Sequence, residues 1–103
     1  TTVGISSLGT EIPTVYSLSQ NYPNPFNPST TINFSIPKSG IVKIKVYDLT
    51  GKEIASLLND FKAAGNYKID FNEKDYGSLS SGVYYYKIEA NSFSEVKKMI
   101  LLK

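Results

Sequence analysis

The sequence predicts an all-β domain, a seven-stranded antiparallel β-sandwich. Short runs of β-branched and aromatic residues follow one another from Thr14 onward, and several of them alternate apolar and polar side chains. Turn residues separate these runs at fairly even spacing, which is typical of sandwiches. No window has a convincing helical period, the nearest being residues 53–61.

The first four strands are predicted at residues 15–19, 30–36, 41–48 and 52–58. The first carries Tyr16 and Leu18 on one face. The second and third alternate strictly between apolar and polar side chains, which assigns one face of each to the core. A short hairpin loop, in which Gly51 can take a positive φ, joins the third strand to the fourth. In the fourth strand Ile54 and Leu57 are an odd number of residues apart, so they share a face only across a β-bulge.

The last three strands are predicted at residues 66–71, 83–90 and 93–102. The middle one of these places Tyr84 and Tyr86 toward the core and Tyr85 on the opposite face, because strand side chains alternate. A two-residue turn at 91–92 joins it to the last strand. The polar, glycine-containing segment 75–81 is predicted to be a loop.

The composition excludes several kinds of chemistry. The 103 residues include no Cys, His, Arg or Trp. Without Cys or His the chain can form no disulfide, no thiolate nucleophile and no Ser-His or Cys-His pair. All eleven cations are Lys, and the net charge of +2 is too small to imply a nucleic-acid partner. We therefore expect a binding, structural or addressing module rather than an enzyme, with no catalytic residue, no cofactor and no metal.

The beginning of the chain differs from the rest. Residues 1–13 are rich in Thr, Ser and Gly and lack periodicity, so they are predicted to form a linker or arm, followed by a folded domain at 14–103. Because the sequence begins at Thr1 rather than Met, we expect it to be part of a longer protein. No run approaches about 20 apolar residues, and no signal-peptide pattern is present, so membrane insertion is not expected.

The densest motif lies between the first two predicted strands. Its prolines hold the preceding residues in extended or turn geometry, and its asparagine side chains can bond to nearby backbone groups. The motif consists of Asn21, Pro23, Asn24, Pro25, Phe26, Asn27 and Pro28, with Tyr22 among them. We interpret it as a rigid crossover between two sheets, with Tyr22 and Phe26 filling the end of the sandwich. The alternative is a sugar platform made of the same two aromatic residues.

Three other groups of side chains each have a structural and a functional interpretation. Tyr47 and Tyr85 would form an exposed sugar-stacking pair if their strands are neighbours, or would only stabilise that sheet face. The lysines on predicted strands either protect sheet edges or dock an acidic partner. These lysines are Lys43, Lys45, Lys87, Lys97, Lys98 and Lys103. Asp70, Glu73 and Asp75 offer oxygens that calcium accepts but match no complete motif, so a solvated loop is predicted.

Several separate segments together resemble one family. Residues 16–32, which contain Asn-Tyr-Pro-Asn-Pro-Phe-Asn-Pro, are similar to the opening signature of the C-terminal sorting domain of the type IX secretion system. Further segments resemble its central hairpin, a turn, its penultimate strand and its end; they are residues 46–51, 64–65, 81–84 and 98–103. Many members have Trp-Asp-Gly where this chain has Asp-Phe-Asn at 70–72, and Phe71 can occupy the same core position.

The resemblance implies an immunoglobulin-like, Greek-key sandwich that acts as a non-catalytic sorting signal. The implied partners are an outer-membrane type IX translocon, a sortase-like surface peptidase and an upstream cargo domain, with the domain itself a monomer. The implied route runs through the periplasm to the cell surface or the medium, and cleavage is expected within residues 1–13. By position, the resemblance assigns recognition by the translocon to the last strand and its neighbour. The residues are Gly82, Val83, Tyr84, Lys98, Met99, Leu101 and Lys103.

Two other functions stay open. An accessory carbohydrate-binding module of a secreted enzyme would use Tyr22, Phe26, Tyr47 and Tyr85, whereas an inert immunoglobulin-like spacer would bind nothing. The last strand is apolar on both faces at residues 99–102. It is therefore either an edge that accepts an added strand or a central strand buried on both sides.

Overall fold

A computed structural model describes residues 12–103, which form seven strands in two antiparallel sheets. The strands are β1 (Ser17–Leu18), β2 (Ser29–Ile36), β3 (Gly40–Tyr47), β4 (Glu53–Lys62), β5 (Gly65–Asn72), β6 (Gly82–Ala90) and β7 (Phe93–Leu101). One sheet has the order β1-β2-β5 and the other the order β4-β3-β6-β7. The seven-stranded antiparallel sandwich predicted from the sequence is confirmed. Within the described residues no helix could span a membrane.

The chain passes between the sheets three times, after β2, β4 and β5. Constant-type immunoglobulin domains also change sheet three times, but after their second, third and fifth strands. In constant-type domains the fourth strand pairs with the fifth strand, whereas β4 here pairs with β3. Successive strands run in opposite directions, so the connections gather at two ends. We call residues 19–28, 48–52, 73–81 and 102–103 the motif end, and residues 12–16, 37–39, 63–64 and 91–92 the turn end.

The core fills the space between the inner faces of the sheets. Its buried apolar side chains come from all seven strands and one loop, and burying each large one contributes about 1.5–3 kcal/mol. They are Leu18, Phe26, Ile32, Phe34, Ile36, Val42, Ile44, Val46, Ala55, Phe71, Tyr84, Tyr86, Ile88, Ala90, Met99 and Leu101. Ile54 and Leu57 fall where β4 shifts register against β3, and both pack against this core. The bulge that this parity requires is therefore present, and Phe71 is buried in the core, as expected.

Some predicted boundaries were wrong. β4 continues four residues beyond the predicted end, to Lys62, because a strand at a sheet edge can pair with β3 without burying its side chains. β1 is only two residues long, and Tyr16, before it, stacks on Phe93 of the opposite sheet at 4.9 Å between ring centroids. Lys103 lies beyond β7 rather than on a strand. Of the predicted arm, residues 1–11 lie outside the described part of the chain.

Candidate functional site

The loop 19–28 connects β1 to β2 within one sheet and also closes part of the edge of the other. The peptide bonds before its three prolines are cis. The Phe26 N–H donates to the Ile100 carbonyl at 2.9 Å, and the Leu102 N–H donates to the Phe26 carbonyl at 3.0 Å. The Asn24 Oδ1 atom accepts a hydrogen bond from the Ile100 N–H at 3.0 Å. The segment is therefore not a crossover, because β1 and β2 are neighbours in the same sheet, but it does tie that sheet to β7.

Only one of the two aromatic residues of this loop fills the end of the sandwich. Phe26 is buried and packs edge-on against Phe71, with 5.9 Å between ring centroids. Tyr22 is 81% exposed, so its predicted packing role is wrong. Its backbone exchanges two hydrogen bonds with Thr31, and opposite residues of an antiparallel pair point to the same face, here away from the core. Because Phe26 is buried, the pair cannot form a sugar platform.

A buried polar network fixes the first part of the loop. The Tyr86 hydroxyl donates to the Ser19 carbonyl at 2.6 Å and accepts from the Asn21 N–H at 2.8 Å. The Asn21 Nδ2 group donates to the Pro23 carbonyl at 3.1 Å and to the Thr30 hydroxyl at 3.0 Å. Burial raises the pKa of Tyr86 to about 12, so its hydroxyl stays neutral and can donate at physiological pH. These bonds satisfy groups that would otherwise be costly to bury.

The last residue of the sequence holds the 73–81 connection. The Lys103 ammonium donates to the Ser78 hydroxyl and the Leu79 carbonyl, both at 2.9 Å, and lies 3.8 Å from Glu73 Oε1. The Glu73 carboxylate is buried and also accepts from the Leu79 N–H at 3.0 Å. The Lys103 N–H donates to the Ser81 hydroxyl at 2.9 Å. Lys103 therefore ties the 73–81 connection to the end of the chain that follows β7.

The predicted solvated cluster of carboxylates does not form. Glu73 is buried beside Lys103, whereas Asp70 lies on β5 and accepts from the Thr31 hydroxyl at 2.7 Å. Asp75 is exposed on the loop. Between residues 12 and 103 no three Asp or Glu side chains converge on a metal position. The solvated-loop prediction was wrong for Glu73, because a partner far along the sequence allows its burial.

The β3–β4 hairpin is shaped by one carboxylate. The Asp48 side chain accepts hydrogen bonds from the Thr50 N–H and hydroxyl at 2.9 and 2.6 Å and from the Lys52 N–H at 3.0 Å. The Thr50 hydroxyl, followed by the Lys52 amide, lowers the pKa of this carboxyl. Gly51 has a φ of 90°, as expected for the turn. The hairpin tip therefore presents Leu49 outward, 67% exposed.

This hairpin faces the start of β6 across a shallow cleft. The cleft is lined by residues 48–50 and 81–84, which belong to two motifs that are distant in sequence. Gly82 enters β6 with a φ of 151°, a region that favours glycine. The Tyr84 hydroxyl donates to the Ser80 carbonyl at 2.6 Å, the arrangement called a tyrosine corner in immunoglobulin-like domains. Burial, with the charges of Asp48 and Glu73, raises the pKa of Tyr84.

The residues that we expected to mediate recognition differ in accessibility. Met99 and Leu101 are fully buried and Tyr84 is 8% exposed, so any contribution they make passes through the shape of the motif end. Gly82 and Val83 are half-buried in the cleft wall, and Lys98 and Lys103 are exposed. β7 is an edge strand, which resolves the open alternative, but the loop 19–28 covers its last residues.

Exposed apolar side chains at the motif end were not predicted as recognition residues. They are Tyr22, Leu49, Tyr76 and Leu102. The parity of β7 could have indicated Leu102, because it follows the inward Leu101 and must point the other way. The exposure of the others depends on loop paths that no periodicity reveals. Tyr47 and Tyr85 lie elsewhere, as direct register partners on the outer face of the four-stranded sheet.

Comparison with known families matches residues 20–102 to the secretion system C-terminal sorting domain. The matched region begins in the loop 19–28 and ends one residue before Lys103, so it includes nearly all of the motif end. A search of curated proteins finds no match.

Proposed function

The chain belongs to the family of secretion system C-terminal sorting domains, and we propose that it directs a cargo protein across the outer membrane through the type IX secretion system. Domains of this family are generally non-catalytic, and the signal implies export toward the cell surface. The observation that carries the proposal is the family match over residues 20–102. In this proposal the domain passes through the periplasm, engages an outer-membrane translocon and is removed at the surface by a sortase-like peptidase.

The geometry supports the motif end as the surface that the translocon recognises. It brings together the loop 19–28, the β3–β4 hairpin, the 73–81 connection and the last residues, and all of these except residues 73–80 lie in segments that resemble the family. It also exposes Leu49 and Leu102, at 67% and 61%. Exposed apolar side chains beside polar backbone are common at protein–protein interfaces. Lys98 and Lys103 would add charge at its border, whereas Met99, Leu101 and Tyr84 would hold its shape.

The point at which the chain enters the domain supports separate roles for the motif end and the turn end. The first described residues, 12–16, lie at the turn end, where Tyr16 contacts Phe93 and Asn91. The described chain therefore enters the domain at the end opposite the motif end. In this proposal, cleavage within residues 1–13 separates the cargo from the domain.

A secretion assay tests the proposal. A periplasm-targeted reporter is fused ahead of residues 1–103 and produced in a bacterium that has the type IX apparatus. Leu49→Asn combined with Leu102→Asn removes two exposed apolar contacts, and we expect the folded fusion to remain in the periplasm. Val96→Asn is the matched control, because Val96 is 54% exposed on the same sheet but outside the motif end.

The outcomes separate the function from its site. Retention of the wild-type fusion in the periplasm would overturn the sorting function. Release of the double variant at the wild-type level would overturn recognition at the motif end but not sorting. Equal retention of the double variant and the control would also overturn that site, since the effect would then not be local. Purified variants should unfold within about 0.5 kcal/mol of wild type, because the changes are at the surface.

A further inference from the structure

The outer face of the four-stranded sheet carries features that, apart from Lys98, the proposed sorting role does not use. Three cross-strand rows of side chains cover its centre. We call these rows the lysine–tyrosine face. The first row is Glu53, Tyr47, Tyr85 and Lys98; the second is Ser56, Lys45, Lys87 and Val96; and the third is Asn59, Lys43, Glu89 and Ser94. Aromatic, cationic and small polar side chains thus share an open surface that none of the described residues covers.

The charge on this face is unbalanced. It has four lysines against Glu53 and Glu89, a surplus of two cations, which equals the net charge of +2 of the whole chain. Lys45 and Lys87 are direct register partners, and like charges in that position are destabilising. Each has one glutamate at 3.3 and 3.2 Å, but exposed ion pairs contribute only about 0–1 kcal/mol. A bound anion would offset this repulsion.

The aromatic part of the face lies beside those charges. Tyr47 and Tyr85 are opposite each other in neighbouring strands, and both are half-buried, so part of each ring is accessible. Lys98 is the register partner of Tyr85 on its other side. Tyrosine presents an apolar ring with a polar tip, which suits contact with the alternating C–H and hydroxyl groups of a sugar.

The far part of the face is slightly concave. A shallow, open depression lies between Lys43, Glu89, Ser94 and the β6–β7 turn at residues 91–92. The depression and the two tyrosines lie two rows apart on the same strands. An extended ligand could therefore contact both, whereas neither encloses a small molecule by itself.

The outer face of the other sheet shows that this composition is not general to the surface. Its rows pair Thr31 with Asp70, Asn33 with Lys68, and Ser35 with Asn66. These rows hold one cation, Lys68, and one anion, Asp70, and Tyr22, which stands opposite Thr31, adds one exposed aromatic ring. The cations and the paired tyrosines are therefore concentrated on one of two otherwise comparable sheet faces.

We propose that the lysine–tyrosine face binds an acidic polysaccharide. Tyr47 and Tyr85 pack against sugar rings, while Lys45, Lys87 and Lys98 neutralise acid groups along the polymer. Lysine suits this ligand because its ammonium is a flexible point charge that requires no fixed planar geometry from the acid. An open face without a deep pocket fits a polymer better than a single sugar. Because much of the attraction is between exposed charges, added salt weakens it.

Affinity electrophoresis of the 103-residue chain tests this proposal. Native gels contain polygalacturonate, alginate, neutral dextran or polyglutamate, the last being a polyanion without sugar. We expect retardation by polygalacturonate or alginate that decreases with salt, none by dextran, and much weaker retardation by polyglutamate. No retardation by either acidic polysaccharide overturns the proposal, and equal retardation by polyglutamate reduces it to non-specific charge attraction.

Matched variants locate the site. Lys45→Gln with Lys87→Gln should weaken binding about tenfold, whereas Lys68→Gln with Lys74→Gln, which removes the same charge elsewhere, should weaken it less than about twofold. Tyr47→Ala with Tyr85→Ala should abolish the preference for polysaccharide over polyglutamate. Equal losses in the two lysine pairs, or full affinity in the tyrosine variant, would overturn the assignment. The lysine variants keep the test decisive if the tyrosine variant does not fold.

Discussion

The two ends of the sandwich are held together in different ways. At the motif end the hydrogen bonds of Asn21 with Tyr86 and of Asn24 with Ile100 join residues 65 and 76 positions apart. At the turn end Asn91 lies in a two-residue hairpin turn between strands that pair directly, and its side chain also donates to the Tyr16 hydroxyl. The difference implies that the motif end acquires its shape only when the whole domain has folded. A translocon that recognises the motif end would therefore recognise the folded domain.

The largest expected effect comes from removing the side chain that fills the motif end. Phe26→Ala leaves a cavity against Phe71 and should reduce the free energy of unfolding by about 3–5 kcal/mol. Tyr22→Ala is the control, because Tyr22 is 81% exposed and its loss should cost less than about 0.5 kcal/mol. Denaturant unfolding curves measure both. Similar costs for the two variants would show that the end is not organised around Phe26.

A smaller loss is expected from removing one hydroxyl at the motif end. Tyr86→Phe keeps the buried ring but leaves the Ser19 carbonyl and the Asn21 N–H without this partner. The expected cost is about 1–3 kcal/mol, the range for breaking buried hydrogen bonds. The control is Tyr85→Phe, since Tyr85 is on the outer face. A cost below that of the control would contradict the role assigned to the network.

The effect of Tyr86→Phe on the free energy of unfolding should also depend on pH. Burial raises the pKa of Tyr86 to about 12 in the folded chain, above the ordinary value of 10.0. Because the folded pKa is the higher one, the stabilisation by the neutral hydroxyl is complete below pH 10 and is lost as the pH rises from 10 to 12. The stability difference between wild type and Tyr86→Phe should therefore narrow over that interval. A constant difference in unfolding curves would contradict the assignment.

The contrast between the ends also explains what the sequence could predict. Strict alternation identified the inward residues of β2, β3 and β6, because a strand fixes the direction of each side chain locally. The bulges at Ile54 and Leu57 followed from the same parity. The outward direction of Tyr22 and the burial of Glu73 could not be predicted from this alternation. Each depends on a partner elsewhere in the chain, Thr31 for Tyr22 and Lys103 for Glu73. The edge position of β7 likewise depends on the order of strands, which periodicity does not contain.

The fourth prediction concerns the contact made by Lys103. Lys103→Gln removes the cation beside Glu73. It should lower the free energy of unfolding by about 1–2 kcal/mol, because the charged donor of the hydrogen bond to Leu79 is lost. The Leu79 N–H, which donates to Glu73, should then exchange with solvent faster. Lys98→Gln is the matched control, because its ammonium makes no ion pair within residues 12–103. Unchanged exchange at Leu79 would mean that the 73–81 connection holds without Lys103.

The smallest effect is expected at the turn end. Asn91 has a φ of 54°, and its side chain donates to the Tyr16 hydroxyl at 2.8 Å. Asn91→Gly loses that exposed bond but relaxes the backbone, and the two changes, each below about 1 kcal/mol, oppose each other. Asn91→Ala loses the bond without the relaxation and should cost about 1–2 kcal/mol.

Unfolding curves of the two Asn91 variants therefore separate local from long-range control. If backbone conformation determines the turn, Asn91→Gly stays within about 0.5 kcal/mol of wild type while Asn91→Ala does not. A loss in the glycine variant as large as that in Tyr86→Phe would mean that the contact with Tyr16 matters as much as the buried network. The turn end would then also depend on distant residues, and the proposed link between recognition and complete folding would no longer be specific to the motif end.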